Sequence, residues 1–205
     1  VRPEDFSDPQ TTDLQRFYLD FKNRITPLVN TELKHLKDNL TKTGNCQLLL
    51  LNSTALVDTV LQAAFNAAVW LYNHTQQKQL LAQNVPVSVV ARGGYGREEV
   101  YFRSDIAVQI VSKSTLTSDE VKRKEQIIKH LEYLFIHQDI FQTSTSFCYI
   151  ENDLLETKLN EGRLTDLFPL LESRLVAGNR TIYSEFASKV EAASLSQKDN
   201  LLNYC

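Results

Sequence analysis

Residues 93–107 read Gly-Gly-Tyr-Gly-Arg-Glu-Glu-Val-Tyr-Phe-Arg-Ser-Asp-Ile-Ala and hold three of the six glycines in this chain of 205 residues. They follow a Val-rich segment, residues 86–91, which predicts a buried strand. Glycine lets a backbone turn sharply and approach a ligand closely. Successive N–H groups in such a turn form an anion-binding concavity, and a guanidinium grips phosphate through two hydrogen bonds. The stretch therefore predicts a phosphate site built from Gly93, Gly94, Gly96 and Arg97; the alternative is a tight turn that holds no ligand.

Two common phosphate motifs are absent from this stretch. The pattern Gly-x-Gly-x-x-Gly fails because Glu99 stands at its third glycine, and there is no Gly-Lys-Ser/Thr of a P-loop. A different arrangement fits, because Asp105 heads a second predicted strand, residues 105–111. Residues two apart on a strand share a face, so an Asp-x-Asp pair there would hold Mg²⁺ against nucleotide phosphates. In this chain the second position is Ala107.

Residues 93–107 resemble the motif Gly-Gly-x-Gly-Arg-x-Glu-Leu, three residues, Ser-Asp-x-Asp of the uridylyltransferases that modify the nitrogen-signalling PII protein. These enzymes belong to the DNA polymerase beta-like nucleotidyltransferase superfamily. The match has no gap and keeps Gly93, Gly94, Gly96, Arg97, Glu99, Ser104 and Asp105. Weaker resemblance extends upstream to residues 56–58 and downstream to residues 170–178, and it implies that the downstream segment is a helix.

The resemblance implies a set of site residues. The triphosphate of UTP or ATP would be bound by Gly93, Gly94, Gly96, Arg97 and Ser104. Asp105 would be the catalytic carboxylate and a Mg²⁺ ligand. The family's third carboxylate would lie on the strand after the next helix, but residues 140–147 contain no acid, so Asp139 is the nearby candidate for a second Mg²⁺ ligand. An active enzyme would transfer a nucleoside monophosphate to a hydroxyl of a PII-like or other regulatory protein, in nitrogen-regulatory signal transduction.

The departures from the motif lead to a second hypothesis. Carboxylates position both ions in a two-metal mechanism, so Ala107 and an acid-free third strand argue against transfer chemistry. The chain is then a catalytically inactive regulatory or nucleotide-sensing module that keeps the fold. A helical scaffold with an incidental glycine turn is a third interpretation. Without a metal, Asp105 is a strand-end cap or a surface charge. Glu99 supports the loop, and Tyr95 either stacks on a base or packs in the protein.

Helical patterns flank this unit on both sides. Apolar spacing predicts helices over residues 14–29 and 53–82, with a break at 42–45. After the glycine turn we expect a short helical piece at 98–102 and a helix that begins at the capping box of residues 117–120. A third strand is predicted at 139–150. The remainder is predicted to be helical, with Gly178 as a C-cap or turn. The order predicts an α+β fold, a small nucleotidyltransferase-type mixed sheet with long helices before and after it. We expect a helical region at 1–84, a core at 85–150 and a second helical region at 151–205.

Composition narrows the class of protein. Hydrophobic residues make up 42% and charged residues 23%, which is typical of a globular protein, and the net charge of −3 argues against a nucleic-acid partner. The sequence shows no long apolar run and no signal-peptide pattern, so we expect no membrane association. Three scattered cysteines fit a reduced, cytoplasmic setting. The chain lacks methionine, so we expect either a fragment of a longer protein or a sequence that omits modified residues.

Overall fold

The computed structural model describes residues 14–113, 115–152 and 164–196. Within these residues long helices surround a four-stranded mixed sheet, which confirms the predicted α+β class. The predicted C-terminal helical region lies partly outside the described residues, at 153–163 and 197–205. The predicted boundaries near residues 84 and 150 stay a prediction, although the first two helices and the sheet share one apolar cluster.

Two long helices form an N-terminal hairpin. Helix α1 spans Leu14–Thr43 and helix α2 spans Cys46–Gln76. The break predicted at 42–45 is confirmed: Gly44 has a φ of 65°, and the side chain of Asn45 accepts a hydrogen bond of 3.0 Å from the Leu48 backbone N–H. This cap starts α2 earlier than the predicted residue 53, because an N-cap satisfies backbone donors that have no partner in the first turn.

Helix α2 is the central helix of the core. By length and composition alone it is apolar enough to cross a membrane, a property that core helices of soluble proteins share. Its small and branched residues instead pack in the main apolar cluster, among them Val57, Leu61, Ala64, Ala68 and Leu71. Close contact with its neighbours follows from the small side chains along this face.

The sheet runs in the order β3-β2-β1-β4. Strand β1 spans Val87–Ala91, β2 spans Ile106–Ser112, β3 spans Thr145–Glu151 and β4 spans Arg174–Gly178. Strand β1 pairs antiparallel with both β2 and β4, whereas β2 and β3 are parallel. All five residues of β1 are buried, so this strand forms the centre of the sheet.

Helices cover both faces of the sheet. The helix α4, Ser118–Phe135, packs with α1 and α2 against one face, and the predicted capping box of Thr117 and Glu120 is confirmed at its start. Helix α6, Arg180–Ser196, follows β4, and its buried residues Ile182, Phe186 and Val190 form a smaller cluster with Val90 and Val111 on the other face.

The segment predicted as a helix at 98–102 is not helical. Instead a single helical turn, α3, covers Gly93–Gly96, and its last residue is followed by Arg97, whose N–H bonds the Gly93 carbonyl at 3.0 Å. Glu98 then adopts a left-handed φ of 62°, which interrupts helical geometry. The Tyr101 N–H donates to the Ser104 hydroxyl at 2.9 Å and not to a backbone carbonyl one helical turn earlier.

The helix expected at 170–178 is also wrong. Helix α5 ends at Leu171, having begun at Leu164, and Arg174–Gly178 forms strand β4. The pairing of β4 with β1 decides this, because Leu-Val-Ala sequences suit either state and only the neighbouring strand selects one. The third strand begins later than predicted, at Thr145, since Asp139 and Gln142 have left-handed φ values of 48° and 52° that place a turn before it.

Candidate functional site

The glycine turn leaves open space on one side. Gly93 has a φ of 59°, a conformation that L side chains rarely adopt, and a Cβ built there meets only Pro169 at 4.0 Å. A Cβ built on Gly94 meets only the Arg97 side chain, at 3.8 Å. The space beside the α-carbons of these two half-buried residues is therefore open, next to Arg97.

Gly96 has a different role in the same turn. A Cβ at Gly96 would lie 2.4 Å from the carbonyl oxygen of Glu172 and 3.2 Å from that of Ala91. The residue is buried, so its missing side chain lets α3 pack against the segment between α5 and β4. Close packing alone therefore explains why the third position of the motif is a glycine, without any ligand.

Arg97 is exposed and already paired with two carboxylates. Its Nε donates to Glu99 at 2.8 Å and its Nη1 donates to Glu172 at 3.2 Å. Hydrogen bonds to Glu99 and then to Glu172 raise the pKa of the Arg97 guanidinium above its ordinary value. A phosphate on the turn must therefore compete with Glu99 and Glu172 for Arg97, and Glu99 supports the loop as predicted.

A partly buried ion pair holds the glycine turn in place, and local sequence patterns do not predict it. The Tyr95 hydroxyl donates to Asp58 on α2 at 2.6 Å, and the terminal nitrogens of Arg174 on β4 donate to the same carboxylate at 2.6 and 2.9 Å. Arg174 also donates to the Tyr95 carbonyl at 3.3 Å and stacks over its ring at 5.1 Å. Turn, helix and strand are thereby joined through one carboxylate.

Tyr95 is 1% exposed, which settles the choice between base stacking and packing in favour of packing. Burial first, and then the Asp58 carboxylate, raise the pKa of the Tyr95 hydroxyl far above its ordinary value, so it stays a hydrogen-bond donor. The signal available in the sequence was an acid, Asp58, within an otherwise apolar helical stripe. Such an acid requires a partner when it is buried.

Ser104 and Asp105 lie at the other end of the motif. The Ser104 hydroxyl accepts from the Tyr101 N–H, and its carbonyl accepts from the Thr143 hydroxyl at 2.9 Å, so Ser104 closes the loop before β2. Asp105 is exposed and lines a cavity of about 630 Å³ together with residues of α1. Binding of nucleotide by Ser104 stays a prediction.

The face of the sheet beside Ala107 carries no second carboxylate among the described strands. Ala107 on β2 lies opposite Ser146 on β3. The one acid of β3, Glu151, lies opposite Ser112 at the far end, roughly 20 Å from Thr145 at the usual rise per residue, and pairs with Lys124 at 3.4 Å. Position 107 therefore has hydroxyl and methyl groups where a two-metal centre needs carboxylates.

A cation lies on this face instead. Cys148 follows Ser146 by two residues, so both project to the side of Ala107. The Arg92 guanidinium donates to the Cys148 thiol at 2.8 Å. In the part of the chain that the structure describes, no three His, Cys, Asp or Glu residues form a metal-binding group. These residues do not fit a two-metal Mg²⁺ centre.

Asp139 lies in the turn before β3, exposed and with left-handed geometry. It is not among the residues that line the cavity beside Asp105. The pairing of Asp105 with Asp139 around Mg²⁺ stays a prediction.

Comparison with known proteins gives a distant relationship. No family model matches the chain. It is 31% identical over 114 residues to the bifunctional uridylyltransferase/uridylyl-removing enzyme of Idiomarina loihiensis, a match that covers 54% of this chain and 12% of that protein. It is 29% identical over 123 residues to the enzyme of the same name from Haemophilus influenzae, covering 60% of this chain and 13% of that protein. The chain thus spans about one eighth of the length of these relatives and is a distant, nucleotidyltransferase-like relative of them.

Proposed function

We propose that this chain is a nucleotidyltransferase-like module that binds UTP or ATP at the Gly93–Arg97 turn without catalysing metal-dependent transfer. The observation that carries the proposal is Ala107, which faces Ser146 at the position where the related motif has its second carboxylate. The open space beside Gly93 and Gly94 supports retention of phosphate binding. The distant relationship to uridylyltransferases supports a nucleotide as the ligand.

Loss of one ligand from a metal centre is costly in rate. Metal ions in such sites bridge the phosphates and neutralise the charge that develops during transfer. Asp105 alone offers a single carboxylate, and Arg92, which bonds Cys148 on the face of Ala107, adds positive charge that opposes a second cation. Nucleotide binding, which needs N–H donors and a guanidinium, survives these substitutions better than transfer does.

Arg97 gives the module a way to respond to nucleotide. In the structure its guanidinium is divided between Glu99 and Glu172. A triphosphate on the turn would draw Arg97 away from Glu172, which directly precedes the segment leading into β4. The chain would then report nucleotide binding to a PII-like or other regulatory protein partner, in a cytoplasmic signalling role.

A transfer assay with a gain-of-ligand variant tests the proposal. The native chain, Ala107→Asp and the uncharged control Ala107→Asn are incubated with UTP or ATP labelled at the α-phosphate, Mg²⁺ and a PII protein. The proposal expects no label on the acceptor with the native chain or with Ala107→Asn. Mg²⁺-dependent labelling by the native chain would overturn it and establish an active transferase.

A further inference from the structure

A cavity of about 630 Å³ lies between α1 and the loops that precede β2 and β3. This volume is in the range of roughly 300–1,000 Å³ that small-molecule sites occupy. It is distinct from the glycine turn, since it is lined by α1 and by residues 102–105 and 141–144. The lining residues that matter for its chemistry are Lys34, Lys37, Arg103, Asp105, Phe102 and Phe141.

The charge of this cavity is opposite to that of the whole chain. The chain has 25 acidic and 22 basic residues, whereas the cavity has three cationic side chains and one carboxylate. Lys34 and Lys37 are three residues apart on α1 and therefore share a helix face. Both are exposed, and in the described chain neither they nor Arg103 form an ion pair.

The ammonium of Lys37 lies over an aromatic ring of the cavity. Its Nζ lies 5.1 Å from the centre of the Phe102 ring, a contact that holds the ammonium at the cavity wall. Phe102 and Arg103 are neighbours in one loop, and Arg103 lines the same cavity as the two α1 lysines. Three cations and a single carboxylate give the cavity a net positive charge, which attracts a polyanion.

We propose that this cleft binds an oligophosphate, a small molecule that carries two or more linked phosphate groups. Ammonium and guanidinium groups are the side chains that bind phosphate oxygens best. Two or more linked phosphates offer oxygens to cations that come from both α1 and the 102–105 loop. Phe141 and Leu33 add an apolar wall, which suits an attached organic group. This inference goes beyond the proposed function, because it uses none of the residues of the Gly93–Arg97 turn.

Titration calorimetry with inorganic tripolyphosphate at low ionic strength tests the proposal. The native chain is compared with Lys34→Gln/Lys37→Gln and with Lys42→Gln, an exposed α1 lysine that does not line the cavity. We expect the double variant to weaken binding at least about tenfold and Lys42→Gln to leave it unchanged within about twofold. Asp105→Asn is expected to strengthen binding, since it removes the one negative charge of the cavity.

Two results overturn the proposal: tripolyphosphate fails to bind the native chain, or, in an Arg97→Gln background, the two lysine substitutions leave tripolyphosphate binding unchanged. The source of the phosphate is distinguished in an Arg97→Gln background, which removes the guanidinium of the glycine turn. If this variant binds ATP more tightly than tripolyphosphate, the cleft is assigned to a nucleotide. If the two affinities are equal, the cleft is assigned to phosphate alone. Failure of the proposed function gives a different result: the Arg97→Gln variant then binds nucleotide as tightly as the native chain does.

Discussion

The carboxylate of Asp58 on α2 is held by both terminal nitrogens of Arg174 on β4, at 2.6 and 2.9 Å. The two residues are 116 positions apart in the chain, yet their contact, together with Tyr95, fixes the glycine turn between helix and sheet. The side chains are only 21% and 23% exposed, so the charges are shielded from water on most sides. The geometry of the candidate nucleotide site thus depends on an ion pair outside it.

Removing one charge of this pair is expected to destabilise the fold. Asp58→Asn leaves the partly buried Arg174 with only the exposed and more distant carboxylate of Glu98, which should lower the free energy of unfolding by about 2–3 kcal/mol. Urea unfolding of Asp58→Asn, Arg174→Gln and the double variant measures the coupling between the residues. The control is Glu98→Gln, because Glu98 is exposed and 3.9 Å from Arg174. A coupling near zero would show that the pair does not stabilise the turn.

The two glycines at 94 and 96 should respond differently to a methyl group. Gly96→Ala places a Cβ 2.4 Å from a backbone oxygen, so we expect a loss of at least about 2 kcal/mol in unfolding free energy. Gly94→Ala meets nothing closer than 3.8 Å and should stay within about 0.5 kcal/mol of the native chain. Thermal unfolding of the two variants checks both expectations, and equal stability of the two would contradict the close packing at Gly96.

Glu172 is expected to weaken nucleotide binding by holding Arg97. Glu172→Gln removes one of the two carboxylates, so a triphosphate competes with Glu99 alone and binds about two- to fivefold more tightly. Fluorescence titration with a labelled nucleotide measures the change, with Arg97→Gln as the variant that should weaken binding. Unchanged affinity in Glu172→Gln would mean that the Arg97 ion pairs do not oppose the ligand.

His130 makes stability depend on pH. Burial, followed by the charge of Lys129, lowers the pKa of His130 from 6.5 to about 4, and its Nδ1 shares a hydrogen bond of 2.6 Å with the Tyr18 hydroxyl. His130 is therefore protonated below about pH 6.5 in the unfolded chain but only below about pH 4 in the folded chain. Stability should fall as pH falls through this window, by up to about 3 kcal/mol in total.

Urea unfolding between pH 7.5 and 5 tests this expectation. The window stops at pH 5 because carboxylates titrate below it. His130→Gln should flatten the dependence of unfolding free energy on pH, whereas His35→Gln, at an exposed position of α1, should leave it as in the native chain. A His130→Gln profile parallel to the native one would show that His130 titrates alike in the folded and unfolded states.

Local signals predicted much of this fold. The capping box at Thr117, the break before Asn45 and the Val-rich strand before Gly93 depend on neighbouring residues, and the structure has each of them. The strand Arg174–Gly178 was predicted as helix because its state depends on pairing with β1, which no local pattern reveals. The helix expected at 98–102 failed because Glu98 adopts a left-handed conformation that the sequence does not signal.

The candidate site was predicted in part for the same reason. Gly93, Gly94 and Arg97 lie within one stretch of five residues, so the sequence alone places them close together. The roles of Asp58, Arg174 and Glu172 come from contacts between distant segments and were missed. For Asp58, the one signal in the sequence is that an acid stands within the apolar stripe of α2.

The most direct test of the central claim is calorimetric titration of the native chain with UTP and ATP, in Mg²⁺ and in EDTA, alongside Ala107→Asp. The account predicts that the native chain binds nucleotide with similar affinity in both conditions, since its own residues do not build a two-metal centre. Nucleotide binding by the native chain that requires Mg²⁺ would contradict it. So would absence of binding in the native chain and its appearance in Ala107→Asp, which would mean that the turn no longer holds phosphate by itself.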